Sequence, residues 1–289
     1  MVVIGGGYIG CELACVYAAV GTKVTIVEAL ERIINNEDKW VSQLMEREFK
    51  KLGITVLAGQ KVTSVDTKTG LAKVAVDNGK IIDAEKVLVA VGRRATCDKQ
   101  TIDNLKLQTS GGVIKVNDRM QTNVPGVYAI GDVVGTTYLA HGAFAEAEVA
   151  VDNIMGGDSK IGDYSLIPKV IFTFPEVASV GKNEARCTKE GIDIVVGRGF
   201  FRANGRSIAH NETAGEIRVI RDKAAGKILG VTMVGARVTE LIASARLLIG
   251  STEKSSNVSF PHPTVSEVLK DAWEDAFGLN VHHPPKAAR

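Results

Sequence analysis

The opening stretch MVVIGGGYIG leaves the chain few ways to fold. Its short, continuously apolar run suits a strand buried on both faces, and the glycines after it stand in G-x-G-x-x-G spacing as Gly5, Gly7 and Gly10. In that spacing the first glycine permits a tight turn and the second lets a pyrophosphate approach the backbone. The third lets the following helix close on the strand, and the helix N-terminus favours negative charge. Alone the pattern is weak, because a glycine turn also serves packing. Here it has the required context: an apolar strand before it, an Ala-rich helix after it, and Glu28 at the end of the next strand, KVTIVE. A carboxylate there accepts hydrogen bonds from a ribose diol and repels a 2′-phosphate, which favours NAD over NADP. The turn itself reads FAD and NAD alike.

Periodicity extends this beginning into a doubly wound α/β pattern. Trp40, Leu44, Met45, Phe49 and Leu52 recur at helical spacing between about 38 and 52, Gly53 ends that helix, and ITVLAG follows as a third strand. Strand, helix, strand, helix, strand implies a parallel sheet with right-handed crossovers. A meander comes next: KVTSVDT, LAKVAVD, a hairpin-type Asn78-Gly79 turn, and KVLVAVG. From about 93 to 167 the chain carries GGVIKVND, GVYAIGDV and a helix of small residues over about 141–155. From about 168 it reads as antiparallel strands (IDIVVGRGFF, GEIRVIRD, KILGVTMVG), a helix over about 239–248, and a last helix after His262.

Charge and cysteine usage exclude several classes. Lys plus Arg number 35 against 33 Asp plus Glu, with no basic tract to follow a phosphate backbone, so nucleic acid is not expected. Apolar runs such as ILGVTMVG are far too short to span a bilayer. No secretory leader pattern stands at the N-terminus, and the expected location is cytoplasmic. The four cysteines, Cys11, Cys15, Cys97 and Cys187, make no disulfide framework, and no metal-ligand cluster is visible. Cys11 and Cys15, four apart on one helix, are either a redox pair or two small apolar residues of a buried face; the second reading is favoured.

Near the C-terminus, FPHPTVSEV places Glu267 five residues after His262. The two residues read either as a general base with its orienting carboxylate or as ordinary loop chemistry. In the second case His262 is a pre-proline loop residue, and Thr264-x-x-Glu267 is a capping box.

In chain order, GGGYIG with Glu28, VLVAVGRR, TNVPGVYAIGDV, TFPEVASVG and FPHPTVSEV resemble the pyridine nucleotide–disulfide oxidoreductases, and within them the dihydrolipoyl dehydrogenases. The resemblance covers essentially the whole chain. It implies an α/β architecture of three parts: a Rossmann-like NAD-binding domain over 1–95, a small central domain over 96–167 completing an FAD-domain fold, and an α+β dimerisation domain with an antiparallel sheet over 168–289. It implies cofactor contacts at Gly5, Gly7, Tyr8, Ile9, Gly10 and Glu28, and at Gly92, Arg93, Gly131, Asp132, Ala140 and His141. Asp132 becomes the partner of a flavin ribityl hydroxyl at the end of a strand VYAI, where an isolated Gly-Asp reads as a turn. The helix beginning near His141 points its N-terminus at the flavin. His262 and Glu267 become base and orienter for a dithiol substrate, acting across a homodimer. Lipoyl domains of 2-oxo acid dehydrogenase or glycine cleavage complexes are the implied partners.

The chain also departs from the family pattern. The flavin-binding glycine turn and redox-active Cys-x-x-x-x-Cys with which family members begin have no counterpart here. The chain therefore reads as the C-terminal three-fifths of such an enzyme, inactive alone. The alternatives are a non-catalytic truncated or split relative that binds nucleotide and dimerises, and another NAD(P)H-dependent disulfide or mercuric reductase-like member. After VGR stand Arg94-Ala95-Thr96 in place of a residue followed by Pro-Asn, and Phe260 occupies a position where lipoamide-type members often carry a second histidine.

Overall fold

Strand β1 (Val2–Ile4) sits inside a four-stranded parallel sheet, between β2 (Thr25–Glu28), which β3 (Thr55–Ala58) flanks, and β7 (Val87–Val89), in the computed structural model that describes residues 1–282. Two units are distinguished by their internal contacts, one formed by Met1–Val91 with Val170–Arg289 and the other by Gly92–Lys169. In the first, helix α1 (Tyr8–Ala19) crosses from β1 to β2 (Thr25–Glu28), and α2 (Lys39–Lys51) crosses from β2 to β3 (Thr55–Ala58). Registers such as Val3↔Ile26 and Ile26↔Val56 make the pairings parallel, as the alternation of strands and helices requires. Cys11, Ala14 and Cys15 of α1 and Val41, Met45 and Phe49 of α2 close over Val3 and Ile26 in one core. Cys11 and Cys15 are buried to 0% and 1% exposure, so they are packing residues of that helix face.

An antiparallel sheet of β4 (Val62–Thr69), β5 (Leu71–Val76) and β6 (Ile81–Ala84) follows. The Asn78-Gly79 turn does join a hairpin, but its second strand is β6, in register Ala75↔Ile81 and Val74↔Ile82. The segment expected to end the meander instead supplies β7 (Val87–Val89), which lies parallel to β1. Val74, Val76 and Ala84 of the meander pack against Val2 and Val27. β7 is the edge strand of that sheet, with Val87 and Leu88 half-buried and Val89 exposed, so its parallel pairing with β1 and not burial on both faces places it there.

The second unit holds α3 (Lys99–Leu105), the short strands β8 (Thr109–Ser110) and β9 (Val113–Ile114), a 3₁₀ turn over Gly131–Val134, and α4 (Ala140–Ile154). Asp98 caps α3 by accepting the Thr101 N–H at 2.7 Å. VYAI is not a strand here. Only Tyr128 bridges Gln121, with Ala129 N–H donated to the Met120 carbonyl. A strand needs a neighbour along its length, and within this unit only a few residues run beside it.

The rest of the chain builds a five-stranded sheet of order β10-β11-β14-β13-β12. Its strands are β10 (Lys169–Ile171), β11 (Glu176–Gly181), β12 (Ile194–Phe200), β13 (Glu216–Asp222) and β14 (Ile228–Gly235). Short helices α5 (Glu184–Lys189) and α6 (Gly205–Ala209) lie in its connections, and α7 (Val238–Leu248) and α8 (Ser266–Ala276) follow. Val268, Leu269, Ala272 and Trp273 of α8 pack into a core with Ile217, Val219 and Met233. Helix and strand meet at backbone contact. A Cβ on Gly199 would lie 2.1 Å from the Val268 carbonyl oxygen, and one on Gly197 2.1 Å from that of Ala272.

Three interactions tie the parallel-sheet part of this unit to its antiparallel-sheet part. Glu12 accepts the Phe172 N–H at 2.9 Å, and buried Asp38 accepts the Glu184 and Ala185 N–H groups at 3.0 and 3.1 Å. Arg218 stacks 4.1 Å from the Trp40 ring centre while pairing with Glu184 at 2.8 Å and Glu216 at 2.5 Å. Among the described residues no helix is long and apolar enough to cross a membrane.

Candidate functional site

The turn between β1 and α1 is built so that no side chain intrudes on it. Gly5 has φ +106°, a left-handed value that penalises any residue with a Cβ, and a Cβ there would lie 2.3 Å from the Ala90 carbonyl oxygen. A Cβ on Gly10 would lie 2.0 Å from the Gly5 oxygen, so α1 can close on the turn only with glycine at that position. Beside Gly7 there is open space instead. Gly7 precedes α1 without capping it by a side chain, so the N–H groups of Tyr8, Ile9 and Gly10 are the unbonded first turn of the helix. Three amide donors around an open approach form a cradle that fits a pyrophosphate.

Glu28 lies against this cradle. Its Oε2 accepts the Gly6 N–H at 2.5 Å and its Oε1 the Leu30 N–H at 2.7 Å, which holds the carboxylate at the end of β2. Each oxygen retains acceptor capacity for a ribose hydroxyl. The Tyr8 hydroxyl turns away to donate to buried Glu37 at 2.6 Å, so its backbone N–H is what Tyr8 offers the cradle. Burial first, and the Glu37 charge second, push the Tyr8 phenol far above its ordinary range. Burial likewise raises the Cys11 thiol and pushes Cys15 up to about 11, which suits inert packing rather than redox chemistry.

In the second unit, Arg93 and Asp132 form an ion pair at 2.6 Å. Gly92, with φ +122°, and Gly131, with φ +73°, immediately precede these two side chains and set their directions. The Gly131 N–H is donated to Glu146 Oε2 at 2.6 Å, and Glu146 Oε1 accepts from Thr136 Oγ1 at 2.6 Å and the Tyr164 hydroxyl at 2.9 Å. Burial, then the bond to Glu146, push the Tyr164 phenol up to about 12. No side chain caps α4, so the N–H groups of Ala140, His141 and Gly142 are its open first turn, while the His141 ring contacts the Pro168 carbonyl at 2.6 Å. An exposed carboxylate and an uncapped helix start fit one edge of a flavin.

At the head of α8, Glu267 reaches two groups at once. Its Oε1 lies 2.9 Å from His262 Nδ1, and its Oε2 accepts the Thr264 N–H at 2.9 Å. Glu267 thus makes the contact to His262 and the reach-back half of a capping box, while the Thr264 hydroxyl donates to the Pro261 carbonyl at 2.8 Å and does not cap α8. Burial favours the neutral acid, but the Thr264 N–H and His262 outweigh it and hold Glu267 below the usual glutamate range. The His262 ring is largely exposed, with Nε2 as its outward nitrogen.

Local spacing in the sequence was enough to find the glycine cradle, Glu28 and the His262–Glu267 pair. Glu37 and Glu146 were missed. For Glu146 a signal existed: Gly142, Glu146 and Ala150 recur every four residues as the buried row of α4, so a carboxylate stands where only small residues belong. Among the described residues no cluster able to hold a metal ion is found.

Comparison with known proteins places these features in one family. Residues 1–151 match the pyridine nucleotide-disulphide oxidoreductase family, and residues 167–273 match its dimerisation domain. A dihydrolipoyl dehydrogenase of Geobacillus stearothermophilus is 37% identical over 98% of this chain and 61% of its own length. One of Rhizobium etli is 39% identical over 96% of this chain and 60% of its own. LpdA of Mycobacterium tuberculosis superposes with a TM-score of 0.86 at 21% identity, over 94% of this chain and 60% of its own, which shows the shared fold. The chain thus spans about three-fifths of the length of the curated relatives it matches.

Proposed function

The chain belongs to the pyridine nucleotide-disulphide oxidoreductase family, and from that premise we propose that it is the nucleotide-binding and dimerisation part of an NAD-dependent dihydrolipoyl dehydrogenase. Its parts are an NAD-binding domain over 1–95, a central flavin-contacting domain over 96–167 and a homodimer-forming domain over 168–289. When bound, FAD and NAD would supply two-electron redox chemistry. The chain's own residues bind, orient and move protons. Amides of Tyr8, Ile9 and Gly10 hold the NAD pyrophosphate, and Glu28 accepts from the adenosine ribose diol and disfavours a 2′-phosphate. Asp132 and the first turn of α4 hold the ribityl chain and pyrimidine edge of FAD.

His262 supplies the proton chemistry. With Nδ1–H donated to Glu267, the neutral imidazole presents a lone pair on Nε2. Nε2 takes the proton of a dihydrolipoamide thiol, and the resulting thiolate attacks a disulfide sulfur while the S–S bond breaks. Glu267 steadies the imidazolium that results. The disulfide comes from a Cys-x-x-x-x-Cys segment outside these 289 residues, whose four cysteines contain no such pair. Lipoyl domains of 2-oxo acid dehydrogenase or glycine cleavage complexes are the substrate carriers.

The His262–Glu267 geometry carries this reading, because a protein that only binds nucleotide has no use for an exposed base oriented by a carboxylate. The chain is to be fused to the N-terminal two-fifths of the Geobacillus stearothermophilus relative and assayed for dihydrolipoamide-dependent NAD reduction. Activity is expected in the fusion, not in the chain alone, and is lost on His262→Gln. Equal activity in the His262→Gln fusion would overturn the assignment.

A further inference from the structure

Glu146 is the most deeply buried charged side chain among the described residues, at 1% exposure. A carboxylate withdrawn from water is costly unless its lone pairs are filled, and here the donors come from three separate segments. They are Gly131 in the 3₁₀ turn, Thr136 in the loop after it, and Tyr164 beyond α4. Gly131 is the residue immediately before Asp132, and its φ of +73° lies in the left-handed region that favours glycine. Asp132 is therefore held twice: its backbone through Gly131 by Glu146, and its side chain by Arg93 at 2.6 Å.

We propose that Glu146 is a positioning residue for Asp132, fixing the Gly131–Asp132 turn from within α4 so that the Asp132 carboxylate is presented in one place to the ribityl hydroxyls of a flavin. This rests on the reading of Asp132 as a flavin contact, and the two can fail separately. The chemistry of the site dictates which substitutions matter. In Glu146→Gln the amide oxygen still accepts the Gly131 N–H, and the NH₂ donates to the Thr136 and Tyr164 hydroxyls, which turn round to accept. In Glu146→Leu the volume stays similar and every acceptor is lost, leaving the Gly131 N–H without a partner.

Hydrogen exchange of the 289-residue chain, read by mass spectrometry, tests the positioning itself. Glu146→Leu is expected to speed exchange in peptides spanning 129–136 by about tenfold or more, with the C-terminal half of α4 unchanged. Glu146→Gln should stay near the parent, and Tyr164→Phe, which removes one donor but keeps the Gly131 bond, should too. If Glu146→Leu does not fold, Glu146→Asp, which withdraws the same charge by one methylene, must show the local acceleration. Unchanged exchange at 129–136, or acceleration spread evenly over 92–169, would overturn the proposal. FAD titration by flavin fluorescence, on the chain fused to the N-terminal two-fifths of the Geobacillus stearothermophilus relative, is the second arm. Glu146→Leu and Asp132→Asn should each weaken FAD by at least about tenfold, and the double variant little more, because the two act through one contact. FAD that binds Asp132→Asn as tightly as the parent sinks the flavin reading of Asp132, while the exchange result still decides the role of Glu146.

Discussion

Glu267 holds His262 Nδ1 at 2.9 Å with one carboxylate oxygen and the Thr264 N–H at 2.9 Å with the other. One side chain thus anchors the start of α8 and sets the ring of the exposed histidine. Since α8 lies in backbone contact with β12, the position of His262 is inherited from the antiparallel sheet.

Glu267→Ala should cost about 1 kcal/mol of stability, the usual worth of a helix-start hydrogen bond, measured by urea unfolding. The pH dependence separates charge from shape. Glu267 is held below the usual glutamate pKa of 4.5, so its ionised form stabilises the folded chain. The parent's advantage over Glu267→Gln should be fully present above about pH 5 and fade as pH falls through the lowered folded pKa. An advantage that grows on acidification would contradict the assignment.

Gly199→Ala should be far more damaging than its size suggests. Its Cβ would lie 2.1 Å from the Val268 carbonyl oxygen, a backbone atom that no rotamer change can move. We expect a loss of about 3 kcal/mol or more, at the upper end of overpacking costs, together with displacement of α8. Thermal unfolding, with Trp273 fluorescence reporting on the helix, checks it.

Glu28→Ala should weaken NADH binding about tenfold, the scale of a charge-assisted hydrogen bond, and narrow the preference over NADPH. Fluorescence titration of both nucleotides against parent and variant measures this. A parent that binds NADPH more tightly than NADH would refute the role given to Glu28.

The buried thiols make the chain sensitive to alkali. Cys15 is pushed up to about 11 from an ordinary value of 9.0, so between those pH values the unfolded chain releases a proton that the folded chain keeps. Stability should therefore be unaffected by this group below about pH 9 and decline as pH rises towards 11. A Cys15→Ala variant should decline less steeply over that interval. In native protein at pH 8, a thiol reagent should modify half-buried Cys97 well before Cys11 or Cys15.

How far the fold could be read depended on the range of the interactions that decide it. Gly5, Gly7, Gly10 and Glu28 were legible because a tight turn, a close helix approach and a strand-end carboxylate each follow from residues a few positions apart, repeated in order. His262 and Glu267 were legible for the same reason, five residues apart at a helix start. Hydrophobic pattern alone does not say which sheet KVLVAVG joins. The apolar character of VYAI does not say whether a neighbour runs beside it.

The sequence by itself determined the parallel βαβ beginning, the glycine cradle with its acid, and the histidine–glutamate spacing, since these are consequences of local backbone geometry. Tertiary structure decided the rest. It let Glu267 reach both the Thr264 N–H and His262 Nδ1, brought α8 onto Gly197 and Gly199 of β12, and gathered donors from residues 131, 136 and 164 around Glu146. A buried carboxylate is tolerable only when distant segments fill its lone pairs, and that condition is met in space, by residues that nothing in their spacing connects.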